Sequence, residues 1–465
     1  MAIEQRFDLP SSFLEAFESS FGKEETEALC HSMEEPSPTS IRINPKKISL
    51  SPQSAKRVPW SDLGYYIDSR PTFGVDPLWH AGAYYVQEAS SMFVSCYLTN
   101  LDFSPKVALD LCAAPGGKST LMRSLLPQSC VLITNEPDKG RATILHENIT
   151  RYGGDEIIIT NAYPHQLRAS GLKCDLILVD APCSGEGMFR KDPNSRNEWS
   201  LGSVASCSAK QKDIIDEAWQ MLQPGGILIY STCTYNREEN EAQLSYILDN
   251  FDVDKILSPN IQDTESLGIQ RGSIDGVYRF FPHHAKGEGL AIFAVQKSGE
   301  KTEAPDIKQT KKGAKDVSLP PVLKENIQSL DRILIEGDQY SYLSPRAKEI
   351  VEYLNKSKVK ILSKGIILGN IKGKDFIPHH SWAMSTQIFD KAPYPKVEVD
   401  EETAMTYLKR EAINPDPYKG FQSVIYKGVP LGWVKNIGNR VNNLYPKELV
   451  IRNRNAEVTD IPKLF

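Results

Sequence analysis

Short, continuous apolar runs alternate with amphipathic stretches between residues 105 and 297. Such runs are typical of β-strands that are buried on both faces of a sheet. The stretch AKQKDIIDEAWQMLQ has apolar residues at helical spacing, and the PGG that follows is expected to end this helix. The alternation predicts an α/β fold with a doubly wound, mostly parallel sheet. The predicted strands are KVALDLC, CVLITNE, DEIIITN, CDLILVD, GGILIYST and GLAIFAVQ.

The pattern changes on both sides of this region. Residues 1–104 combine a helical start with the segments TSIRINP and GAYYVQEASSMF, and we interpret them as an extension packed on the sheet domain of residues 105–297. Residues 298–320 are polar and rich in lysine, which predicts a linker because such a segment buries little apolar surface. Residues 321–465 carry short strands separated by Gly and Lys, as in a small β-barrel or mixed α/β module.

Composition narrows the class of protein. The 465-residue chain has a net charge of -5, but residues 321–465 hold 22 Lys and Arg against 17 Asp and Glu. This asymmetry indicates that a nucleic acid binds near the C-terminal part. The sequence has neither a long apolar run nor a signal-peptide pattern, so we expect a cytoplasmic protein without a membrane span. The eight cysteines form no CxxC pair, so they are expected to be reduced, and no metal site is predicted.

The segment DLCAAPGGKST ends like the phosphate-binding P-loop, but its first half differs. The first glycine of a P-loop would fall at Cys112, and Pro115 lacks a backbone donor, so a nucleotide-hydrolysing site is disfavoured. The small residues of the segment instead allow a nucleoside to approach the backbone after a strand that ends at Leu111. Glu136, at the tip of the next strand, suits the hydroxyls of a ribose. These features favour S-adenosylmethionine, whose sulfonium is cationic, as the ligand.

Two cysteines stand directly after predicted strands. Cys183 lies in DAPCSGEGMFRKDP, and Cys233 lies in YSTCTYNREENE. The carboxyl ends of parallel strands meet at one edge of a sheet, so we expect both thiols beside the cofactor loop. The other cysteines are interpreted as small core residues, apart from Cys112 in the loop itself.

These three segments, in this order and spacing, resemble the Sun/Fmu-type RNA (cytosine-5) methyltransferases, as do TSIRINP and GAYYVQEASSMF. The resemblance covers residues 35–297. It implies a class I, Rossmann-like methyltransferase fold with S-adenosylmethionine as cofactor. Residues 321–465 more loosely resemble the PUA-like RNA-binding module of bacterial members that act on 16S ribosomal RNA. The implied partner is therefore RNA, as 16S ribosomal RNA or as the small-subunit particle. We expect a monomer that contacts no membrane.

The resemblance also implies roles for individual residues. A thiolate adding to carbon 6 of cytosine makes carbon 5 nucleophilic, and the resemblance assigns this attack to Cys233. It assigns release of the methylated base to Cys183 and a contact with the cytosine edge to Asp180. Asn161 stands where the family has an acid near the adenine. The implied cofactor residues are Cys112, Ala113, Ala114, Pro115, Gly116, Gly117, Lys118, Glu136, Asn161 and Asp180.

Several alternatives remain open at the level of sequence. In one alternative the substrate is transfer RNA, and in another the protein is a non-catalytic RNA-binding factor for ribosome assembly. For Lys118, the alternatives are that it caps its helix or that it contacts the substrate. Arg190 and Lys191 contact phosphates or lie on a solvated surface, and the aromatic residues of the extension stack on bases or belong to the core. Those aromatic residues are Trp79, Tyr84 and Tyr85.

Overall fold

A computed structural model of the protein describes residues 8–53, 55–300, 319–413 and 417–465. The N-terminal part comprises α1 (Ser11–Phe21), α2 (Lys23–Ser32), β1 (Thr39–Ile43), β2 (Lys56–Arg57), β3 (Gly64–Ile67), α3 (Pro77–His80), β4 (Tyr84–Val86) and α4 (Val94–Leu98). Its strands form a small sheet in the order β2-β3-β1-β4. All pairings within this sheet are antiparallel.

The central part contains the predicted sheet. Its elements are β5 (Val107–Asp110), α5 (Gly117–Leu125), β6 (Val131–Asn135), α6 (Lys139–Tyr152), β7 (Ile157–Thr160), α7 (Pro164–Ala169), β8 (Cys174–Asp180), α8 (Pro193–Glu198), α9 (Leu201–Met221), β9 (Leu222–Thr232), α10 (Glu241–Asn250), β10 (Val253–Ile256), β11 (Ile269–Arg271), β12 (Tyr278–Phe280) and β13 (Leu290–Lys297). Six strands lie side by side in the order β13-β9-β8-β5-β6-β7. The strands from β9 to β7 are parallel to one another, and β13 is antiparallel to β9. The doubly wound α/β fold is thus confirmed.

Burial on both faces explains why the central strands read as unbroken apolar runs. In β5, Ala108 packs into one core layer, whereas Val107 and Leu109 pack into the layer on the opposite face. The chain leaves β5 toward β6 on one side and later returns to β8 on the other. This reversal creates a crevice at the carboxyl ends of β5 and β8, where doubly wound sheets bind their ligands.

The chain changes from helix to strand earlier than the PGG segment predicts. Helix α9 ends at Met221, and Pro224, Gly225 and Gly226 lie within β9. The register explains the difference, because Cys174 pairs with Leu222 but Leu176 pairs with Ile227. The extra residues of β9 form an irregular stretch of strand, so they do not act as a separate turn.

The C-terminal part comprises α11 (Pro321–Asn326), β14 (Ile333–Glu336), β15 (Gln339–Tyr342), α12 (Pro345–Lys356), β16 (Ile361–Lys364), β17 (Ile366–Lys372), β18 (Asp375–Pro378), α13 (His380–Met384), β19 (Lys396–Glu398), α14 (Glu401–Leu408), β20 (Gly420–Tyr426), β21 (Val429–Asn436) and β22 (Val441–Asn443). Two four-stranded sheets, β14-β15-β17-β18 and β19-β20-β21-β22, form this module. Most of the predicted linker, residues 301–318, lies outside the described residues.

One strand of the C-terminal part joins the central sheet. Strand β16 pairs antiparallel with β7, with Ile361 opposite Thr160. Nearby, buried Glu156 forms an ion pair with Arg332 and accepts a hydrogen bond from the Ser344 amide. The C-terminal part is therefore fixed to the edge of the sheet that lies beyond β7. No helix in the described ranges is long and apolar enough to cross a membrane.

A tight backbone contact joins α6 to the C-terminal part. Gly153 follows α6 with φ of +77°, and a β-carbon there would collide with the carbonyl oxygen of Met384. Gly337 has a similar φ of +63° but open space around it, so Gly337→Ala is a matched control for the backbone cost alone.

We expect Gly153→Ala to lower the free energy of unfolding by at least about 2 kcal/mol more than Gly337→Ala does. Denaturant unfolding followed by circular dichroism measures both variants. Equal losses in the two variants would show that the contact with Met384 contributes nothing to stability.

Candidate active site

The two strand-end cysteines meet at one edge of the sheet. Strands β8 and β9 are parallel neighbours, with Asp180 opposite Ser231, so the loops that follow them leave side by side. The Sγ atoms of Cys183 and Cys233 lie 3.3 Å apart, close enough for an S–H donor to contact a sulfur acceptor. The structure therefore brings together the two thiols that the sequence separates by fifty positions.

The two sulfur atoms have opposite ionisation preferences. The hydrogen bond from the Cys183 thiol is the main cause that lowers the pKa of Cys233, and the Lys118 ammonium lowers it further, against burial and Asp180. The same hydrogen bond is the main cause that raises the pKa of Cys183, with burial adding to it. The arrangement thus favours a thiolate at Cys233 and a thiol at Cys183. Because nucleophilic strength resides in the thiolate, Cys233 is the better nucleophile of the pair.

An ion pair lies beside the thiols. Lys118 Nζ is 2.8 Å from Asp180 Oδ2, and the Ser231 hydroxyl donates to Asp180 Oδ1 over 2.7 Å. Burial alone would lower the pKa of Lys118, but Asp180 outweighs it and the net shift is upward. Lys118 therefore stays cationic, and its charge bears on both Asp180 and Cys233. The Lys118 side chain is thus directed toward Asp180 and Cys233.

Buried acids hold the two cysteine loops together, and sequence reasoning missed them. Glu239, in the loop after β9, accepts hydrogen bonds from the Ser184 amide at 3.0 Å and from Gln211 Nε2 at 2.7 Å. Glu186, in the loop after β8, accepts from the amide of Asn236 at 3.0 Å and from its Nδ2 at 2.9 Å. Each acid thus connects one loop to the other. The signal that could have identified them is an acid inside each motif, but a sequence does not show that an acid is buried.

A glycine allows the closest approach between the loops. The Gly187 amide donates to the Cys233 carbonyl oxygen at 2.9 Å, and a β-carbon at Gly187 would lie 2.9 Å from that oxygen. Real β-carbons essentially never come so close to another atom. The loop after β8 therefore needs glycine here to support the backbone of Cys233.

The small-residue loop forms the adjoining part of the crevice. Gly116 has φ of +111°, a conformation that glycine tolerates, and α5 begins at the next residue. Ala113 and Ala114 are buried, and burial raises the pKa of the Cys112 thiol, so that group stays protonated. The loop is braced from outside, because the Pro115 carbonyl accepts a hydrogen bond from Asn148 Nδ2.

Two carboxylates in the crevice have oxygen atoms without a hydrogen-bond donor. Glu136 Oε1 accepts from the Asp138 amide, but its Oε2 is buried without a hydrogen bond, although Arg141 lies 3.4 Å away. Asp110 Oδ2 accepts from the Ser119 hydroxyl, and its Oδ1 has no partner. Burial raises the pKa of Asp110 to about 7. These free acceptors match a ligand that brings hydroxyl and ammonium donors.

The Asn161 side chain makes hydrogen bonds within the protein. Its side-chain amide donates to the carbonyl oxygens of Glu136 and Pro137 at 2.8 and 2.9 Å, so both N–H groups are used within the protein. Its Oδ1 faces Lys360 Nζ at 3.3 Å, at the start of β16. Asn161 therefore positions the segment that carries Glu136, and only its oxygen is left to face a ligand.

The structure removes other candidates from the site. Arg190 forms a buried ion pair with Glu288 at 2.8 Å, so it neither contacts phosphate nor lies on a solvated surface.

Tyr84 is buried and donates to Asp76, and the Trp79 ring packs against the Arg151 guanidinium. These two aromatic rings belong to the core. The Lys191 side chain is 27% exposed and lies 4.0 Å from the same Glu288. Tyr85 borders the loop through its contact with the Pro115 carbonyl.

A buried arginine from TSIRINP also supports the loop. Arg42 is fully buried and donates to the Gly117 carbonyl oxygen and to Thr120 Oγ1, at 3.3 and 2.5 Å. Its Nε donates to Gln87 Oε1 at 2.7 Å. The N-terminal sheet thus holds the first turn of α5, where Lys118 lies.

Comparison with known proteins agrees with this geometry. Family models described as 16S rRNA methyltransferase RsmB/F, the N-terminal domain of 16S rRNA methyltransferase RsmF and the methyltransferase RsmF PUA domain match residues 100–296, 9–89 and 394–451. Ribosomal RNA small subunit methyltransferase F of Klebsiella pneumoniae (strain 342) is 30% identical over 88% of this chain and 90% of its own. The chain belongs to the RsmB/F methyltransferase family.

Other relatives support this membership. The protein of the same name from Aliivibrio fischeri (strain MJ11) is 30% identical over 95% of this chain and 98% of its own. The crystal structure of a methyltransferase homologue from Pyrococcus horikoshii superposes with a TM-score of 0.54 at 26% identity, covering 63% of this chain and 97% of its own. The RsmB/F protein is thus an RNA methyltransferase with a C-terminal PUA domain, and S-adenosylmethionine is its cofactor.

The crevice of this RsmB/F protein suits that cofactor. The free oxygen of Glu136 can accept from ribose hydroxyls, and the free oxygen of Asp110 can accept from an ammonium group. The small loop residues leave room at the backbone. Lys118 forms an ion pair with Asp180 and interacts electrostatically with both Asp110 of this crevice and Cys233.

The contact between the sulfur atoms generates a prediction about reactivity. Alkylation by iodoacetamide requires the thiolate, so its rate rises with pH and levels off above the pKa. Because the pKa of Cys233 is lowered, its rate should level off at a lower pH than that of an ordinary thiol. Cys183→Ala removes the hydrogen-bond donor, so the midpoint should move to higher pH. The rate at neutral pH should then fall by roughly tenfold, the effect of one pKa unit.

Peptide mass spectrometry after timed alkylation follows each cysteine separately. Cys207→Ala, on α9, is the control and should leave the profile of Cys233 unchanged. An unchanged midpoint in Cys183→Ala, or faster alkylation of Cys183 than of Cys233 in the wild type, would refute the assignment.

Proposed function

We propose that this protein methylates carbon 5 of cytosine in 16S ribosomal RNA, with Cys233 as the nucleophile, Cys183 as the group that assists release and Asp180 at the edge of the base. The observation that carries the proposal is the 3.3 Å contact between two sulfur atoms with opposite ionisation preferences. The names of the relatives, which specify the ribosomal small subunit, support the choice of RNA.

The first step needs a nucleophile, because carbon 5 of cytosine does not accept a methyl group unaided. The Cys233 thiolate forms a bond to carbon 6, and the electron pair of the 5,6 double bond moves so that carbon 5 becomes nucleophilic. Asp180 and Lys118 lie beside this thiolate and are placed to hold the polar edge of the base. S-adenosylmethionine supplies the methyl group from its sulfonium.

The second step must return the thiolate. While Cys233 is anionic, its negative charge and hydrogen bond keep the proton on Cys183. Once the Cys233 sulfur is bonded to carbon, that negative charge and hydrogen bond are lost, so the pKa of Cys183 falls. The Cys183 thiol then releases its proton to solvent, and the resulting thiolate can accept the proton from carbon 5. Loss of the carbon 5 proton then restores the double bond and breaks the sulfur–carbon bond. Cys233 leaves as a thiolate, ready for the next cycle.

The target base must reach these half-buried sulfur atoms. Carbon 6 is hidden within a stacked helix, so the cytosine is single-stranded or flipped out of its helix. We assign the contacts with RNA phosphates to the lysine-rich C-terminal part. Such contacts make the binding of RNA salt-dependent. As part of the same proposal, the enzyme acts in the cytoplasm as a monomer that contacts no membrane. Its eight free cysteines suit a reducing compartment.

Two variants separate the roles of the cysteines. We expect Cys233→Ala to abolish transfer of labelled methyl groups from S-adenosylmethionine to small-subunit RNA. Cys183→Ala should still attack the base but release it slowly, so a covalent RNA–protein band should accumulate on denaturing gels. Cys207→Ala should behave as the wild type does.

The same assay tests the substrate and the reaction. The wild type should label 16S ribosomal RNA and not transfer RNA, at carbon 5 of cytosine. Normal turnover by Cys233→Ala, or absence of the shifted band in Cys183→Ala, would overturn the corresponding role. Labelling of transfer RNA alone would overturn the substrate assignment, and binding of RNA without any binding of S-adenosylmethionine would indicate a non-catalytic factor.

A further inference from the structure

Two histidines and a glutamate meet at the junction of the N-terminal and central parts. Glu25 belongs to α2, whereas His283 and His284 follow β12, so the three residues come from distant parts of the sequence. Glu25 Oε2 lies 2.8 Å from His283 Nε2 and 2.7 Å from His284 Nε2. Both imidazoles therefore direct the same nitrogen to a single carboxylate oxygen.

Within the described part of the chain, this is the one group of three or more His, Cys, Asp or Glu residues with ligand atoms that all lie within 4.8 Å of one another. The His283 side chain is 4% exposed, whereas those of Glu25 and His284 are 39% and 28% exposed. The buried imidazole fixes one side of the cluster, and the other two groups leave a path for an ion and for water.

We propose that Glu25, His283 and His284 form a binding site for a divalent transition-metal ion, with Zn²⁺ as the best match. Two imidazoles and one carboxylate are a typical Zn²⁺ donor set, whereas Mg²⁺ and Ca²⁺ take oxygen ligands. Three protein ligands leave the fourth tetrahedral position to water. The spacing of cysteines, which argued against a zinc site, says nothing about this cluster.

The position of the site gives the ion a structural role. Phe21, at the end of α1, packs edge-on against Phe281 at 5.2 Å between ring centroids, and Phe17 packs against Tyr235 at 6.1 Å. Tyr235 lies in the loop that begins with Cys233. An ion held by Glu25 would therefore tie the N-terminal helix pair to the surface that supports this catalytic loop.

The test uses the full-length protein without an affinity tag. Calorimetric titration with Zn²⁺ should show one ion bound per chain. Glu25→Gln keeps the size of the side chain and one acceptor oxygen but removes the anionic ligand, and it should weaken binding by at least about tenfold. His284→Ala should do the same. His165→Ala, which alters an exposed histidine far from the cluster in sequence, is the matched control and should bind as the wild type does.

Titration with Co²⁺ identifies the donor atoms independently. The site should give visible d–d bands of a tetrahedral ion without a thiolate-to-cobalt charge-transfer band, since its ligands are nitrogen and oxygen. Thermal unfolding of the wild type, but not of Glu25→Gln, should shift to higher temperature when Zn²⁺ is added. Absence of saturable binding, equal binding by Glu25→Gln, or a thiolate band that reports the cysteine pair would overturn the proposal.

Discussion

The hydrogen bond from the Cys183 thiol to the Cys233 sulfur is the interaction on which this active site depends. It makes two chemically identical side chains unequal, because the donor keeps its proton while the acceptor is stabilised as a thiolate. A change of even 1 Å in the 3.3 Å separation would weaken this coupling. Much of the surrounding structure can be understood as a means of fixing that distance.

Three levels of structure fix it. The parallel register of β8 and β9 sets the starting points of both loops. Buried Glu186 and Glu239 then cross-link the loops, each accepting hydrogen bonds from the opposite one. Leaving an oxygen of a buried carboxylate without a donor costs free energy, so these acids disfavour movement of their donors. The two acids thus hold the loops at a defined separation, which keeps the two sulfur atoms in contact.

The cofactor crevice depends on all three parts of the chain. The central sheet supplies the small-residue loop and its carboxylates, and Arg42 from the N-terminal sheet holds the first turn of α5. On the other side of the crevice, Asn161 Oδ1 accepts a hydrogen bond from Lys360. Lys360 directly precedes β16, the strand that the C-terminal part adds to the central sheet. Folding of the flanking parts and shaping of the site are therefore coupled.

The sequence predicted those features that follow from local pattern. Unbroken apolar runs identified the parallel strands, and a cysteine directly after a strand indicated the catalytic edge. Contacts between residues that are distant in the sequence have no such local pattern. Strand β16 is short and only half-buried, so its place beside β7 has no periodic signal, and the burial of Arg190 depends on Glu288, which is 98 positions away. The roles assigned to individual site residues and the domain boundaries stay predictions.

Trapping the covalent adduct tests the central claim most directly. Small-subunit RNA that contains 5-fluorocytosine has no proton to lose from carbon 5, so an attacking cysteine stays bonded to the base after methyl transfer. Peptide mass spectrometry then identifies the residue attached to RNA. The peptide attached to RNA should be the one that carries Cys233. Attachment to Cys183, or to neither cysteine, would contradict the role of Cys233 as the nucleophile.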